Sequence, residues 1–432
     1  MQNSLNKITL TCLLGASFFL GLNAIRVIEF ITLGDVFLFA AAGISIIQVV
    51  TGQRTTILQP GIPFSLSLLF FTMALGLSIG NNEGISVSNN VAEYVKVFLG
   101  LFFVPYLYAN LIRDEKWLVL MIRAFVLSII VSVCVGLTEF IGYEIADSIG
   151  AVTITGESFL STGRARGLTL HPNFLALISA VALPLAWVLP SRGFSSRLWK
   201  AITIAVCVIG VLAGGSRAAL IAVMFIGFIC FLFSTTVRQK ISTVVSICLG
   251  LIITIFAVQG TVVEEYLVAI VALKRLIDGL NGESAVTDSD DERLGFLTVA
   301  ADNIDLFPLS GAGFEWIQHA HNIYIQVFEA AGILGALAFA FYLLGFVSLF
   351  PRTKHPKGGR RLLIGCGLSV AVYLISGLAA NSLYTRPIIL PFAFLWVAAI
   401  CDRRKILHER RECLDSRLNR LNDRRRDESQ LV

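Results

Sequence analysis

Long apolar runs separated by short polar segments dominate the chain. Most runs are close to the ~20 residues that a helix needs to cross a hydrocarbon core of ~30 Å. Backbone groups in lipid must be satisfied within the segment, so such runs fold as helices, and the alternating ten-residue pattern of a membrane β-barrel is absent. The pattern predicts an all-α polytopic membrane protein with about twelve transmembrane helices. The predicted spans are 8–25, 31–50, 62–80, 91–112, 117–142, 170–190, 199–214, 217–234, 241–259, 323–350, 362–380 and 384–401.

Composition supports this fold class. Of the 432 residues, 56% are apolar and only 15% are charged, and the mean hydropathy is +0.79. A soluble domain of this size would carry about 25% charged residues. The charges lie in short blocks between the apolar runs, which excludes a soluble globular fold.

The basic residues predict the orientation. The segment 403–426 holds ten of the 34 Lys and Arg residues, so we place the C-terminus in the cytoplasm. When the spans are counted backwards from the C-terminus, the loops on the cytoplasmic side hold fourteen more Lys and Arg residues. The same count places the N-terminus in the cytoplasm. These fourteen are Lys7, Arg54, Arg113, Lys116, Arg192, Arg197, Lys200, Arg238, Lys240, Arg352, Lys354, Lys357, Arg360 and Arg361.

The same count divides the chain into one transmembrane domain, 1–401, and a basic cytoplasmic tail, 402–432. We interpret the tail as a solvated helix that touches anionic membrane lipids. Acidic residues interrupt it, which argues against nucleic-acid binding.

Two longer segments, about 143–169 and 260–322, then face the outside. The second is predicted to be mostly helical, with helical stretches at 263–279 and 293–305, an acidic turn at 288–292 between them, and a closing turn at 307–313.

Arginines on the outer face are candidate ligands for phosphate. Arg164 and Arg166 precede the sixth span, and Arg217 starts the eighth directly after Gly214-Gly215-Ser216. Guanidinium groups bind phosphate bidentately, and a helix N-terminus offers unpaired N–H groups. Together they predict a diphosphate site. Simpler interpretations remain: Arg217 reaching the headgroups, and Arg164 or Arg166 lying solvated in a loop.

Histidine provides the candidate base. His319 and His321 precede the tenth span, and neutral imidazole can take a proton from a hydroxyl near pH 7. The spacing of His319 and His321 could suggest zinc, but no third ligand follows at a suitable distance, so we predict no metal. His171 stands before Pro172 at a helix start and is expected to act locally.

Charged residues inside the spans are costly in lipid and are expected to face the bundle, where pairing is the simplest role. Glu93 and Lys96 are spaced to pair with each other, and Glu329 lies two turns beyond His321. The full set is Glu93, Lys96, Arg123, Glu139 and Glu329.

Four motifs between 164 and 335 resemble the superfamily of O-antigen ligases and O-antigen polymerases, which are bacterial membrane glycosyltransferases. Phe296 stands where that superfamily has a tryptophan after the loop arginine, Arg293. The motifs are Arg166-Gly167-Leu168 with His171-Pro172-Asn173; Gly215-Ser216-Arg217-Ala218-Ala219; Arg293 with Pro308-x-x-Gly311-x-Gly313; and His321-Asn322-x-Tyr324 with Glu329-x-x-Gly332-x-x-Gly335.

The resemblance implies a transferase of the bacterial inner membrane with a periplasmic active site. It implies a donor glycan on undecaprenyl diphosphate, with Arg164, Arg166, Arg217 and Arg293 holding the diphosphate and His321 activating the acceptor hydroxyl. Transfer would invert the anomeric centre and need neither metal nor cofactor. An acidic neighbour, Asp290 or Glu292, is the alternative partner for Arg293.

Two acceptors fit the resemblance. A ligase would use lipid A-core and is the reading that we favour, whereas a polymerase would use a second lipid-linked glycan. Transfer to a protein or another polymer is a third possibility. A transporter or flippase is the alternative of another class, but transporters place charged sites near the midplane of paired halves. Here the candidates gather at one surface.

Overall fold

A computed structural model describes residues 2–28, 31–52, 61–81, 86–139, 164–190, 193–233, 284–316, 322–349, 361–380, 383 and 385–430. This part of the chain is helical except for a short antiparallel pair, β1 (Arg26–Ile28) and β2 (Ile31–Thr32). The helices are α1 (Gln2–Leu20), α2 (Leu33–Val50), α3 (Ile62–Asn81), α4 (Val87–Val97), α5 (Val104–Leu111), α6 (Glu115–Glu139), α7 (Pro172–Val188), α8 (Phe194–Ala213), α9 (Arg217–Phe233), α10 (Ser284–Leu306), α11 (Ile323–Leu349), α12 (Arg361–Ser376) and α13 (Arg386–Gln430).

The all-helical, polytopic class is confirmed. Seven helices among the described residues are long and apolar enough to cross a membrane. Leu5–Leu20, Pro172–Val188 and Arg217–Phe228 are shorter apolar helices. Apolar helices occupy eleven of the twelve predicted spans, and the ninth, 241–259, lies outside the described residues. The total of about twelve therefore stays a prediction.

Helix α7 forms the centre of one half of the bundle. It packs against α6, α8, α9, α12 and α13, and nearly all of its side chains are buried. Its alanines allow neighbouring backbones to approach closely, and close packing replaces the hydrophobic driving force that is missing between helices in lipid. Ser369 on α12 donates a hydrogen bond to the carbonyl of Val181 at 2.5 Å, which joins the two helices where both are buried.

A second packing centre joins α3, α5, α11 and α13. Phe64 stacks on Trp396 with ring centroids 4.4 Å apart, and Phe346 packs edge-on against Phe64 at 4.9 Å. Between α4 and α5 the helix widens into a π-helical segment, Phe98–Phe103, just before Pro105. Proline has no N–H for the carbonyl four residues earlier, Leu101. The hydroxyl of Tyr342 on α11 donates to that carbonyl at 2.8 Å.

One end of the bundle collects basic side chains; we call it the Arg403 end. Arg404 donates to the carbonyl of Arg113 at 3.2 Å, Lys405 pairs with Glu115, and Arg403 donates to the carbonyl of Ser348 at 3.1 Å. Helix α13 continues from its buried part, 388–399, through this end to Gln430. The tail is therefore helical, as predicted.

Two predictions about charged residues are wrong. The acidic turn at 288–292 does not form, because these residues lie within α10. Asp and Glu inside a helix cost less than about 1 kcal/mol each relative to Ala, so they do not end the helix. The stretch 263–279, predicted to be helical, lies outside the described residues.

Arg123 does not face the bundle; its side chain is exposed on α6. It lies eight residues from the start of that helix, about 12 Å along the axis, so its long side chain can reach the polar boundary. Glu93 and Lys96 do pair, at 2.6 Å, as their spacing predicts.

Candidate functional site

The turn between α8 and α9 is the centre of the opposite end of the bundle, which we call the Arg217 end. Helix α8 ends at Ala213 and α9 begins at Arg217, so 214–216 form the turn, as predicted. Gly215 has a φ of 63°, a left-handed conformation that glycine adopts without strain. A Cβ on Gly214 would lie 2.6 Å from the carbonyl oxygen of Pro172. This close approach presses the turn against the start of α7.

Arg164 fixes this turn from the preceding loop. Its Nε and Nη2 donate to the carbonyl of Gly214 at 3.0 and 2.7 Å, and Nη2 also donates to Oδ1 of Asn173. The side chain is only 9% exposed. A helix leaves its last carbonyls without intrahelical partners, and a cation there is favourable. Arg164 is therefore not the solvated loop residue of the simpler interpretation.

Glu139, the last residue of α6, holds the backbone beside Arg166. Its two carboxylate oxygens accept the N–H groups of Arg166 and Gly167, each at 3.0 Å, and it is 3% exposed. Gly167 has a φ of 55°, and a Cβ there would lie 2.1 Å from the carbonyl oxygen of Ser132. The Arg166 side chain is 4% exposed. Sequence reasoning gave Glu139 only a general pairing role; its signal was a carboxylate at the end of an apolar span.

Arg217 begins α9 and is half-buried. Ser216 caps the helix, because its hydroxyl accepts the N–H of Ala219 at 3.4 Å. The cap occupies one of the N–H groups that a helix start leaves without partners. Arg164 and Arg217 thus lie at a single turn, and Arg166 follows Ala165, whose N–H donates to the carbonyl of Ala213 at 3.0 Å.

His171 acts locally, as expected. It is the N-cap of α7, and its Nδ1 accepts the N–H of Asn173 at 3.0 Å. Pro172 occupies the first helical position, where a missing N–H has no consequence. Each residue of His171-Pro172-Asn173 therefore has a structural function, since Asn173 also binds Arg164.

The segment 308–313 is built into a break in α11. Gly332 has φ 59° and ψ −152°, which interrupts that helix. The N–H groups of Ala312 and Gly313 donate to the carbonyls of Glu329 and Ala330, at 2.7 and 3.2 Å. On the far side of the break, Ile333 donates to the carbonyl of Pro308 at 2.9 Å.

Only glycines fit this joint between segment and helix. A Cβ on Gly332 would lie 2.5 Å from the backbone of Leu309, and one on Gly311 would lie 2.3 Å from the nitrogen of Ala331. The two glycine motifs noted in the sequence are therefore two halves of one contact. Asn90, buried on α4, adds a third anchor, since its Oδ1 accepts the N–H of Phe314 at 2.5 Å.

Asn322 fixes the start of α11. Its Oδ1 accepts the N–H groups of Tyr324 and Ile325, at 2.9 and 3.2 Å, and its Nδ2 donates to the carbonyl of Leu378 at 3.1 Å. Leu378 belongs to the short turn Gly377–Ala379, which packs against α9. The start of α11 therefore lies at the Arg217 end.

Two candidates are not tested by these contacts. His321, like His319, lies outside the described residues. Arg293 lies on α10, in the part of that helix whose side chains are not described. Their roles stay predictions, as does the expectation of no metal.

The geometry defines a polytopic helical membrane protein with buried arginines around a helix start at one end. Residues 201–340 match the family Wzy_C, described as O-Antigen ligase, whose members are membrane glycosyltransferases. The resemblance found in the sequence is thus confirmed for this segment, which includes Arg217, Arg293 and both glycine motifs. Arg164 and Arg166 precede it. No curated protein matches the chain.

We predict that Glu139→Ala destabilises the protein by about 1–3 kcal/mol, because two buried N–H groups lose their acceptor. Glu139→Gln should lose less, since its amide keeps one acceptor oxygen. The measurement is the free energy of unfolding in detergent. Glu93→Gln is the control, because that partly exposed pair should contribute about 1 kcal/mol or less. Unchanged stability of Glu139→Ala would mean that the carboxylate does not hold the loop.

Proposed function

We propose that this protein is an inner-membrane O-antigen ligase, which transfers a glycan from undecaprenyl diphosphate to a hydroxyl of lipid A-core on the periplasmic face. The observation that carries the proposal is the position of Arg164 and Arg217 at the helix start 214–217, with Arg166 on the loop that bonds to Ala213, in and beside the segment that matches the family. Membrane glycan transfer is the family's activity; the ligase reaction is our proposal.

In this proposal the arginines bind the diphosphate of the donor. Arg217 offers a planar fork at the start of α9, where the helix dipole also favours an anion. Arg164 has much of its fork committed to Gly214 and Asn173, so it contributes charge and holds the turn that carries Arg217. Arg166 adds a second buried cation, and Arg293 on α10 is the fourth proposed ligand.

His321 is the proposed general base. Its imidazole takes the proton of the acceptor hydroxyl, and the hydroxyl oxygen forms a bond to the anomeric carbon of the donor glycan. The bond from that carbon to the diphosphate oxygen breaks, and undecaprenyl diphosphate leaves with the electron pair. Attack opposite the leaving group inverts the anomeric centre. The arginines balance the charge of the leaving group, so the proposed route needs no metal.

The break in α11 argues against the alternative that this protein is a transporter. Transporters use broken helices to present unpaired backbone groups to ions or substrates near the midplane. Here the carbonyls of Glu329 and Ala330 and the N–H of Ile333 bond to the 308–313 segment. The break is filled by the protein's own backbone.

Deleting the gene for this chain should separate ligase from polymerase. We expect core lipid A without any O-antigen, together with accumulated lipid-linked glycan polymer. The measurement is the lipopolysaccharide profile on a gel, with the intact gene restored as the control. A lipid A-core that carries a single O-antigen repeat would instead identify a polymerase. An unchanged lipopolysaccharide profile would exclude both the ligase and the polymerase.

Arg217→Ala should reduce transfer strongly while the protein still accumulates in the membrane. Arg217→Lys should recover little, because an ammonium group cannot reproduce the bidentate fork. The assay is transfer in vitro from the undecaprenyl-diphosphate donor. Arg123→Ala is the matched control, since Arg123 is an exposed arginine of α6 and should be dispensable. Full activity of Arg217→Lys would show that charge alone matters.

His321→Ala should lower transfer by about 10²–10⁴-fold, the usual contribution of a general base. His321→Gln can still form hydrogen bonds but cannot accept a proton at neutral pH, so it should stay defective. His319→Ala, two residues away, is the control and should keep most activity. A chelator in every assay excludes a metal route. If His321→Gln transfers at the parent rate, the ring only positions the acceptor.

A further inference from the structure

A side-chain hydrogen bond joins α10 to the first half of α11. Nδ2 of Asn303 on α10 donates to Oε1 of Glu329 on α11 at 2.9 Å. Glu329 is fully buried, whereas Asn303 is half-buried in the last turn of its helix. Ala300, one turn earlier on α10, is also fully buried. This contact lies directly beside the joint between 308–313 and the break at Gly332.

The contact lies between two of the proposed functional groups. Arg293 is ten residues before Asn303 on α10, about 15 Å along the helix. Asn322, which follows His321, is seven residues before Glu329, about 10 Å along α11. Because both connections are helical, the angle at which α10 leaves the joint determines where Arg293 lies relative to the start of α11.

The backbone joint alone leaves this angle open. The hydrogen bonds from Ala312, Gly313 and Ile333 fix the 308–313 segment on α11, but they lie beyond the end of α10. Asn303 hydrogen-bonds to α11 three residues before α10 ends, so it provides a second point of attachment. Attachment at both the joint and Asn303 fixes the direction of the α10 axis, which attachment at the joint alone does not.

We propose that Asn303 and Glu329 are positioning residues, which orient α10 so that Arg293 reaches the donor diphosphate near the start of α11. The inference rests on the proposed function. Glu329 acts here as a hydrogen-bond acceptor, and its charge is not required.

Swapping the hydrogen-bond donor and acceptor between positions 303 and 329 tests this contact. Asn303→Asp sets two carboxyl groups against each other, and we expect kcat/KM for the lipid-diphosphate donor to fall about 10–100-fold, the scale of a misplacement near 1 Å. Glu329→Gln keeps an acceptor oxygen and should stay within about threefold of the parent. The double variant Asn303→Asp with Glu329→Gln restores a donor facing an acceptor and should recover most activity. Asp302→Asn, an exposed neighbour on α10, is the control.

A double-mutant cycle with Arg293 separates positioning from general stability. If Asn303 acts through Arg293, then adding Arg293→Ala to Asn303→Asp should lower kcat/KM little further. Adding Arg217→Ala instead should multiply the two losses, because Arg217 lies on a different element. Multiplied losses for both arginines would overturn the proposal.

Hydrogen exchange provides a readout that does not depend on activity. Asn303→Asp should speed amide hydrogen exchange in α10 and in 308–313. The double variant Asn303→Asp with Glu329→Gln should restore the parent's rate of hydrogen exchange. If the double variant restores the parent's rate of hydrogen exchange but the parent itself catalyses no transfer, the contact between α10 and α11 is supported and the proposed function is refuted. If Glu329→Gln and the double variant both show the parent's rate of hydrogen exchange but neither catalyses transfer, the Glu329 carboxylate itself reacts. That result refutes the positioning role.

Discussion

Lipid offers no hydrogen-bonding partner, so each backbone group that a membrane helix releases at a turn, a proline or a break must be satisfied by the protein itself. Four places in the structure meet this demand with a specific partner. The carbonyl of Leu101, opposite Pro105, accepts from Tyr342, and the carbonyl of Gly214 accepts from Arg164. The carboxylate of Glu139 takes two loop N–H groups, and the 308–313 segment fills the break at Gly332. Three of these places lie in or beside the candidate site.

This demand also explains why the site is rigid. Arg164 is buried and bonded to a helix end, so the turn that carries Arg217 is fixed before any ligand arrives. Asn322 likewise fixes the start of α11 through two backbone N–H groups and Leu378. Preorganised charge would suit the proposed reaction, because no reorganisation is then needed when charge develops on the leaving group.

The same contacts divide the basic residues into two kinds. At the Arg403 end, Arg403 and Arg404 bond to the backbone carbonyls of Ser348, in the last turn of α11, and Arg113, between α5 and α6. At the Arg217 end, Arg164 and Arg166 are buried. A buried guanidinium is expensive unless it is paired or serves a ligand, which is why the second kind marks a candidate site, whereas exposed basic residues are the signal from which the orientation is predicted.

Local patterns in the sequence were enough to predict the helical membrane class, the turn at 214–216, the pairing of Glu93 with Lys96, and the place of Arg164 and Arg217 at one end of the bundle. Hydropathy and span parity are local properties of the chain, so they can be read without coordinates. Sequence reasoning missed the exposure of Arg123 and the helical course of 288–292, because a long side chain can reach the polar boundary and acidic residues are tolerated within a helix. Three contacts follow only from the packing of the helices: Glu139 holds the arginine loop, Asn303 hydrogen-bonds to Glu329, and two glycine motifs form one joint. These contacts join residues 17 to 28 positions apart in sequence. No pattern of spacing specifies them, since they depend on which backbone groups the packed helices leave without partners.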